Sequence, residues 1–323
     1  MAELYLLGVP GSPRPYRCCR KTKGEIRQRH PGLPGVWLFA AVAEIFRLEI
    51  DKKNKNMVSP IEATLDDFVR QYENTGACND DIFETFTRNT DRYPFLKEHR
   101  DYIEQHRLGY GDRAFHYMWY LIIRHVQSRQ LKPDMLEIGV FKGQVVSLWS
   151  LIAQTTLPEL RVTGITPLSG KKIPGKWERF FKARFSAQYR KDLRDGNFYE
   201  ETDYLRIIEG LFRRFSLEFT KFRLIRGYST DGGVRGQVAG ERFSVIYIDG
   251  DHSYDTVVLD IRNFSGLIVP GGLLVMDDAS CDLPGTKFWK GHQGVSEACR
   301  TIESFGFKNI LNVGHNRIYQ KDK

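Results

Sequence analysis

An α/β fold built on a doubly wound, mostly parallel sheet is what this chain of 323 residues predicts, on three observations. From Lys132 onward, short apolar runs of strand length alternate with helical patterns, the grammar of a parallel sheet covered on both faces. A glycine-bearing turn joins the first of these strands to its helix. Carboxylates gather at the C-terminal ends of two later strands, the edge of such a sheet where ligands bind. N-terminal helices and a helical insertion complete the expected architecture.

Taken in order, residues 1–56 read poorly as structure. Pro10, Gly11, Pro13 and Pro15 break regularity, a basic run follows from Arg17 to Arg29, and Val36–Ile50 suits one short helix. A weakly ordered basic extension is expected, with Met57 as an alternative start. The competing reading is a basic arm for a polyanion, but Trp37 and Phe39 lie outside the basic run instead of interleaving with it. At Met57 the pattern begins afresh, with Ser59 as N-cap, Pro60 at the first helical position and Glu62 three residues on. Residues 57–130 are expected to form a helical cap region. Phe83, Phe86, Tyr93, Phe95 and Tyr102 mark an aromatic inner face there. Ala114–Val126 is apolar almost all round and should be buried on most sides, so His116 and His125 read as core or boundary residues.

The sheet domain should span 131–323. Its strands are expected at Met135–Ile138, Arg161–Ile165, Phe222–Arg226, Phe243–Ile248 and Leu273–Met276, with helices at Val145–Ala153 and Tyr254–Phe264. Ile310–Val313 and Arg317–Tyr319 should close it with a hairpin. Between the second and third strands, residues 171–221 exceed what a plain crossover needs. Two amphipathic helices are expected there, Trp177–Leu193 and Asp203–Phe219, serving either as extra packing on the sheet or as a substrate or partner surface.

Composition narrows the function classes. At 41% hydrophobic residues the chain is globular, not disordered. The formal charge of +8 invites nucleic acid, an anionic membrane or an acidic substrate as partner. Its distribution argues otherwise. Residues 1–56 carry 11 basic and 5 acidic side chains, residues 171–226 carry 15 and 8, and the remainder is mildly acidic. Five cysteines without a CxxC pair point to a reducing, cytoplasmic setting. The longest apolar run near the N-terminus, Val36–Ala43, is far short of a membrane span, and Met1–Val9 lacks the basic start of a secretory signal. No Asn/Asp-Pro-Pro-Tyr motif occurs and the aromatics are scattered, so nucleic acid is not the expected partner. A homo-oligomer is compatible with the sequence.

The chemistry is written at the strand ends. Met135-Leu-Glu-Ile-Gly-Val-Phe-Lys-Gly-Gln144 is strand, turn and helix. Gly139 allows a tight turn and close approach of a ligand to the backbone, and Gly143 allows close packing as the helix begins. The spacing is not that of the dinucleotide turn, which, with no acid at the end of the second strand, argues against a nicotinamide oxidoreductase. Glu137 would repel a diphosphate but suits a cationic ligand. This turn resembles the first motif of class I S-adenosylmethionine (SAM)-dependent methyltransferases.

Val245-Ile-Tyr-Ile-Asp-Gly-Asp-His-Ser-Tyr254 delivers Asp249, Asp251 and His252 into one loop, and Gly271-Gly-Leu-Leu-Val-Met-Asp-Asp278 delivers two more acids from the next strand. One crossover joins these strands, so they should be neighbours ~4.8 Å apart, and Asp249 can converge with Asp277 and Asp278. Close carboxylates repel unless a cation or proton intervenes. Hard oxygen ligands select Mg²⁺, Mn²⁺ or Ca²⁺, and without a Cys/His ligand set zinc is not expected. The alternative is that these acids only cap loops. His252, beside this centre and with an ordinary pKa of ~6.5, is the natural general base; the bland alternative is a structural histidine bonded to Asp251.

The run Ile-Asp-Gly-Asp-His-Ser-Tyr, followed by Gly-Gly-x-x-x-x-Asp-Asp, resembles the methyltransferase family that contains macrocin O-methyltransferase and the cephalosporin-hydroxylase-type proteins (family 24-like). The likeness spans about Leu108–Gln320. It implies a Rossmann-like class I fold and O-methylation of a small hydroxylated acceptor or sugar, of natural-product or glycan type, with SAM and Mg²⁺. It assigns Asp249, Asp277 and Asp278 to the metal and His252 to proton removal. For the cofactor it implies Glu137, Gly139, Gly143, Thr166, Ser229 and Asp249. Two positions depart from the family's pattern. Thr166 stands where an acid usually holds the ribose, and Tyr228 interrupts the Gly-x-Ser after the third strand. These departures motivate a second reading, a non-catalytic scaffolding protein with a decayed cofactor site.

Overall fold

The computed structural model describes residues 63–168, 171–172, 174–187, 189–190, 198–199 and 203–322. The 1–56 extension and the expected start at Met57, with its Ser59, Pro60 and Glu62 cap, lie outside the described residues. The first described helix, α1 (Leu65–Gln71), is opened by Thr64 in a capping box. The Asp67 amide donates to the Thr64 hydroxyl at 3.3 Å and the Thr64 amide to the Asp67 carboxylate at 2.8 Å. Then come α2 (Gly76–Arg92), α3 (Pro94–His106) and α4 (Ala114–Ser128). α4 is buried along almost its whole length, as its apolar pattern requires. Phe86 is fully buried and stands edge-on to Tyr117, while Tyr93 and Phe95 pack against the same core. His116 and His125 are buried, in keeping with a core role.

The sheet domain follows: β1 (Asp134–Ile138), α5 (Gln144–Thr156), β2 (Arg161–Thr166), β3 (Lys171–Lys172), α6 (Lys176–Phe185), β4 (Phe198–Tyr199), α7 (Tyr204–Arg214), β5 (Phe222–Arg226), α8 (Gly232–Gly236), β6 (Phe243–Ile248), α9 (Tyr254–Phe264), β7 (Ile268–Met276), α10 (Gln293–Cys299), β8 (Phe307–Val313) and β9 (Asn316–Lys321). Seven strands make the main sheet in the order β5-β2-β1-β6-β7-β9-β8, and β3 pairs with β4 apart from it. The first five strands run parallel. β9 returns antiparallel to β7, and β8 antiparallel to β9. The chain winds outward from β1 through β2 to β5, then restarts at β6 on the other side of β1. The crevice between the ends of β1 and β6 is therefore the topological switch point.

Alternation along the strands divides the core into two layers. Met135, Val245, Tyr247 and Val275 face α4 and α5, where Trp119 and Trp149 meet edge-on at 4.8 Å. Leu136, Ile138, Ile246 and Leu274 face α9 and α10. Both indoles are almost wholly buried, and removing either should cost about 3–5 kcal/mol.

The insertion departs from expectation. Its first helix stops at Phe185, well before Leu193, and lies on the surface: Trp177, Phe180, Phe181 and Phe185 are 56–81% exposed. These aromatics are not core, although Tyr189 is buried. The second helix behaves as packing, with Asp203 capping it and Tyr204, Ile208, Leu211 and Phe212 buried. Among the described residues no helix is long and apolar enough to cross a membrane.

Candidate active site

Backbone hydrogen bonds continue the parallel ladder past the strand ends and align the loops that carry the acids. The Asp249 amide donates to Ile138 (2.8 Å), the Asp277 amide to Ile248 (3.1 Å) and the Gly139 amide to Ile165 (2.9 Å). The first residues beyond β6 and β7 are thus held side by side, and Asp249 lies against Asp277.

Gly139 has φ +102°, and a Cβ there would run into the Asp249 carbonyl and come within 2.8 Å of the Gly250 Cα. Glycine is needed, but for the protein's own close approach between two strand ends; the space was expected to admit a ligand. Gly143, at φ +86°, lets α7 close on the start of α5, since a Cβ would sit 2.9 Å from Ile208 Cγ1. That is the close packing its position predicts.

Glu137 is buried, not presented to the cleft. Burial first, and the charge of Asp277 second, push its carboxyl up to about 8, against the Val146 amide at the start of α5. One of its oxygens is buried without a hydrogen-bond partner. Asp249 is raised well above the ordinary carboxylate range, by burial and then by Asp277, Asp278 and Glu137. Burial acts the same way on Asp277, yet His315 and a hydrogen bond from Asp249 hold it below that range. The arrangement gathers acids beside imidazoles and fits a centre made to receive positive charge.

His252 is where the sequence places it. Its Nε2 lies 3.1 Å from Asp278 Oδ2 and the side chain is 19% exposed. It is bonded to Asp278 across the two strand ends, as well as following Asp251 in the loop, where Asp251 accepts the Ser253 amide at 2.6 Å.

Two further histidines complete the centre. His292 stacks on His252, with centroids 4.2 Å apart and planes at 7°, and its Nε2 is 3.8 Å from Asp278 Oδ2. His315 Nε2 lies 3.3 Å from Asp277 Oδ1 and 3.5 Å from Asp278 Oδ1. Burial would lower His315, but Asp277, Asp278 and Asp112 raise it above its ordinary value. Two trios therefore bring three ligand atoms within 4.8 Å: His252, Asp278 and His292, and Asp277, Asp278 and His315. The sequence carries no Cys/His ligand spacing, and the fold nonetheless brings these histidines to the two acids. Asp278 is the hinge of both trios, at φ +53°, a conformation Asp tolerates better than most residues.

The remaining cofactor candidates are engaged within the protein. Thr166 is buried and its hydroxyl accepts the Leu168 amide at 3.3 Å. Ser229 lies beside Asp260 of α9, whose carboxyl burial pushes up to about 7 while the Ser229 hydroxyl pulls the other way. Tyr228 is exposed.

Residues 136–279 match the family model described as a methyltransferase domain. No curated protein matches the chain. Among solved structures, the chain is similar to the O-methyltransferase NovP at 17% identity, covering 64% of this chain and 79% of that one, with a TM-score of 0.48. The O-methyltransferase TomG from Streptomyces achromogenes, in complex with SAM, matches at 12% identity, with 72% and 91% covered and a TM-score of 0.43. The SAH-bound Podospora anserina methyltransferase PaMTH1 matches at 13% identity, with 91% and 100% covered and a TM-score of 0.41. Strand order, the glycine turn of β1 and the family match agree, and residues 136–279, from β1 to the loop after β7, are a methyltransferase domain.

Proposed function

We propose that this domain moves a methyl group from SAM to a hydroxyl oxygen of a small acceptor, a sugar or natural product, with a divalent cation held among Asp249, Asp277 and Asp278. One observation carries the reading: these acids and His252 meet at the C-terminal ends of β6 and β7, beside the glycine turn of β1. Mg²⁺ is the ion the family resemblance implies.

SAM, when bound, supplies a methyl already activated on sulfonium, and a cation would make the acceptor hydroxyl more acidic. What the chain adds is alignment and proton removal. His252 donates Nε2–H to Asp278 Oδ2 and takes the acceptor's proton at Nδ1. Asp278 then stabilises the imidazolium, the logic of a base oriented by a buried carboxylate. Glu137, Gly139, Gly143, Thr166 and Ser229 are the residues that the family resemblance assigns to the cofactor. The reducing, cytoplasmic setting belongs to the same proposal; Cys78, Cys281 and Cys299 are free.

The test is calorimetry with SAM, followed by methyl transfer to a hydroxylated acceptor panel with Mg²⁺ present. His252→Ala should lower kcat by ~10²–10⁴ and leave SAM affinity unchanged. An unchanged kcat removes His252 as the base. No SAM binding by the wild type overturns the catalytic reading and favours the scaffolding one, which the buried Thr166 already suits.

A further inference from the structure

The hairpin joining β8 to β9 has its tip at the C-terminal end of β7, because Met276 pairs with Arg317. The tip residues are Gly314 and His315. The Ala279 amide donates to the His315 carbonyl at 2.8 Å, and the Ser280 hydroxyl to the Gly314 carbonyl at 2.9 Å. The hairpin is thereby tied to the backbone directly after Asp278. Phe115 meets the imidazole edge-on at 4.6 Å, and only 4% of the side chain is exposed. This ring is held with Nε2 toward Asp277 and Asp278.

Two features distinguish a ligand position from a mere neighbour of acids. The three atoms of this trio span no more than 4.8 Å, and His315 Nε2 stands 3.3 and 3.5 Å from its two oxygens. Adjacent ligands at ~2.1 Å from an ion are ~3.0 Å apart, so little contraction is needed. On the far side of the ring, Nδ1 faces Asp112 Oδ2 at 3.7 Å. That distance is too long for a hydrogen bond, and buried Nδ1 has no hydrogen-bond partner, so Asp112 acts on the ring through its charge. Asp278 divides its oxygens between two tasks: Oδ1 faces this trio, while Oδ2 holds His252.

We infer that His315 is a nitrogen ligand of the cation centre together with Asp277 and Asp278, held in place by the hairpin tip and Phe115, and that the centre selects first-row transition ions over Mg²⁺. The inference rests on the cation reading proposed above. It leaves His252 as the base. A nitrogen donor favours the ions that bind imidazole well, so affinity should follow Zn²⁺ over Mn²⁺ over Mg²⁺.

The experiment uses the full chain, stripped with a chelator and titrated by calorimetry with Zn²⁺, Mn²⁺ and Mg²⁺. Pulsed electron paramagnetic resonance of the Mn²⁺ form then reads nitrogen coordination directly. The expected result is ¹⁴N coupling in the wild type that persists in the double variant His252→Gln/His292→Gln and disappears in His315→Gln. If His315→Gln fails to fold, the ¹⁴N coupling that survives in His252→Gln/His292→Gln still decides the assignment, because it removes the other two histidines of the centre. Mn²⁺ bound without ¹⁴N coupling, or coupling lost in the double variant instead, overturns the assignment while leaving a cation site. No binding of any ion, with SAM still bound, overturns the cation reading itself.

Discussion

At the scale of single residues, the site depends on two glycines whose missing side chains leave room for backbone carbonyls. A Cβ at Gly139 would collide with the Asp249 carbonyl, and one at Gly291 (φ +79°) with the Asp278 carbonyl. The second contact lets the His292 amide donate to Asp278 at 2.8 Å, which brings His292 beside His252. Gly139→Ala is expected to lose about 2–4 kcal/mol of stability, from strain at positive φ and from the collision, and to abolish SAM binding. Gly250→Ala is the control. A Cβ there meets only Ile138 and Asp260 atoms at 3.7–4.0 Å, ordinary contact, so its cost should stay within about 1 kcal/mol. Denaturant unfolding of both variants checks the pair, and equal losses would show that the β1–β6 contact is not what requires glycine.

Among elements, local pattern was readable and chain return was not. The strands and the acids at their ends follow from alternation and from residues adjacent in sequence: Asp249 and His252 share one loop, and Asp277 and Asp278 follow one strand. His292 and His315 reach the same centre from a returning loop and a hairpin tip. Their placement depends on contacts with Asp278 and Ala279 that no periodicity encodes. The hairpin was legible, and its tip beside the end of the fifth strand was the available signal for His315. For α6 the pattern was amphipathic, but burial of its aromatic stripe did not follow. The helix layer carries its own prediction. His99 of α3 bonds to His116 of α4 and to Ser147 of α5, each at 3.0 Å. Burial, and then Arg100, push His99 down to about 3, and His116 is also well below its ordinary value. Both stay neutral when folded, whereas the unfolded chain takes up protons below pH ~6.5. Stability from this network is complete above that pH and falls as pH drops from ~6.5 toward 3. His99 should cost about 2 kcal/mol at pH 5, and His116 acts in the same direction. Urea unfolding at pH 7 and pH 5 should show a smaller drop for His99→Gln than for the wild type. Identical drops would remove the pair from the acid response.

For the whole molecule, the +8 charge is a poor guide to the chemistry because most of it falls, in sequence, outside the segments that carry the candidate site residues. Catalytic candidates arise from β1, β6, β7 and the β8–β9 hairpin, all on one sheet with its own two-layer core. Glu62–Lys323 forms one unit, and Thr64 caps the first described helix within it. Residues 1–56 hold 11 basic and 5 acidic side chains, and a chain beginning at Met57 keeps a net charge of only +2. This shorter chain is expected to retain the thermal midpoint within ~2 °C, a shift worth less than about 1 kcal/mol for a domain of this size. Its SAM affinity should equal that of the full chain. Binding to heparin, a generic polyanion, should weaken, because the basic side chains of residues 1–56 add to the field of the whole molecule. Loss of SAM binding on truncation would place part of residues 1–56 in the cofactor site. Unchanged SAM binding with unchanged heparin binding would move the polyanion-attracting charge to the 171–226 segment, where the 15 basic side chains stand against 8 acidic ones.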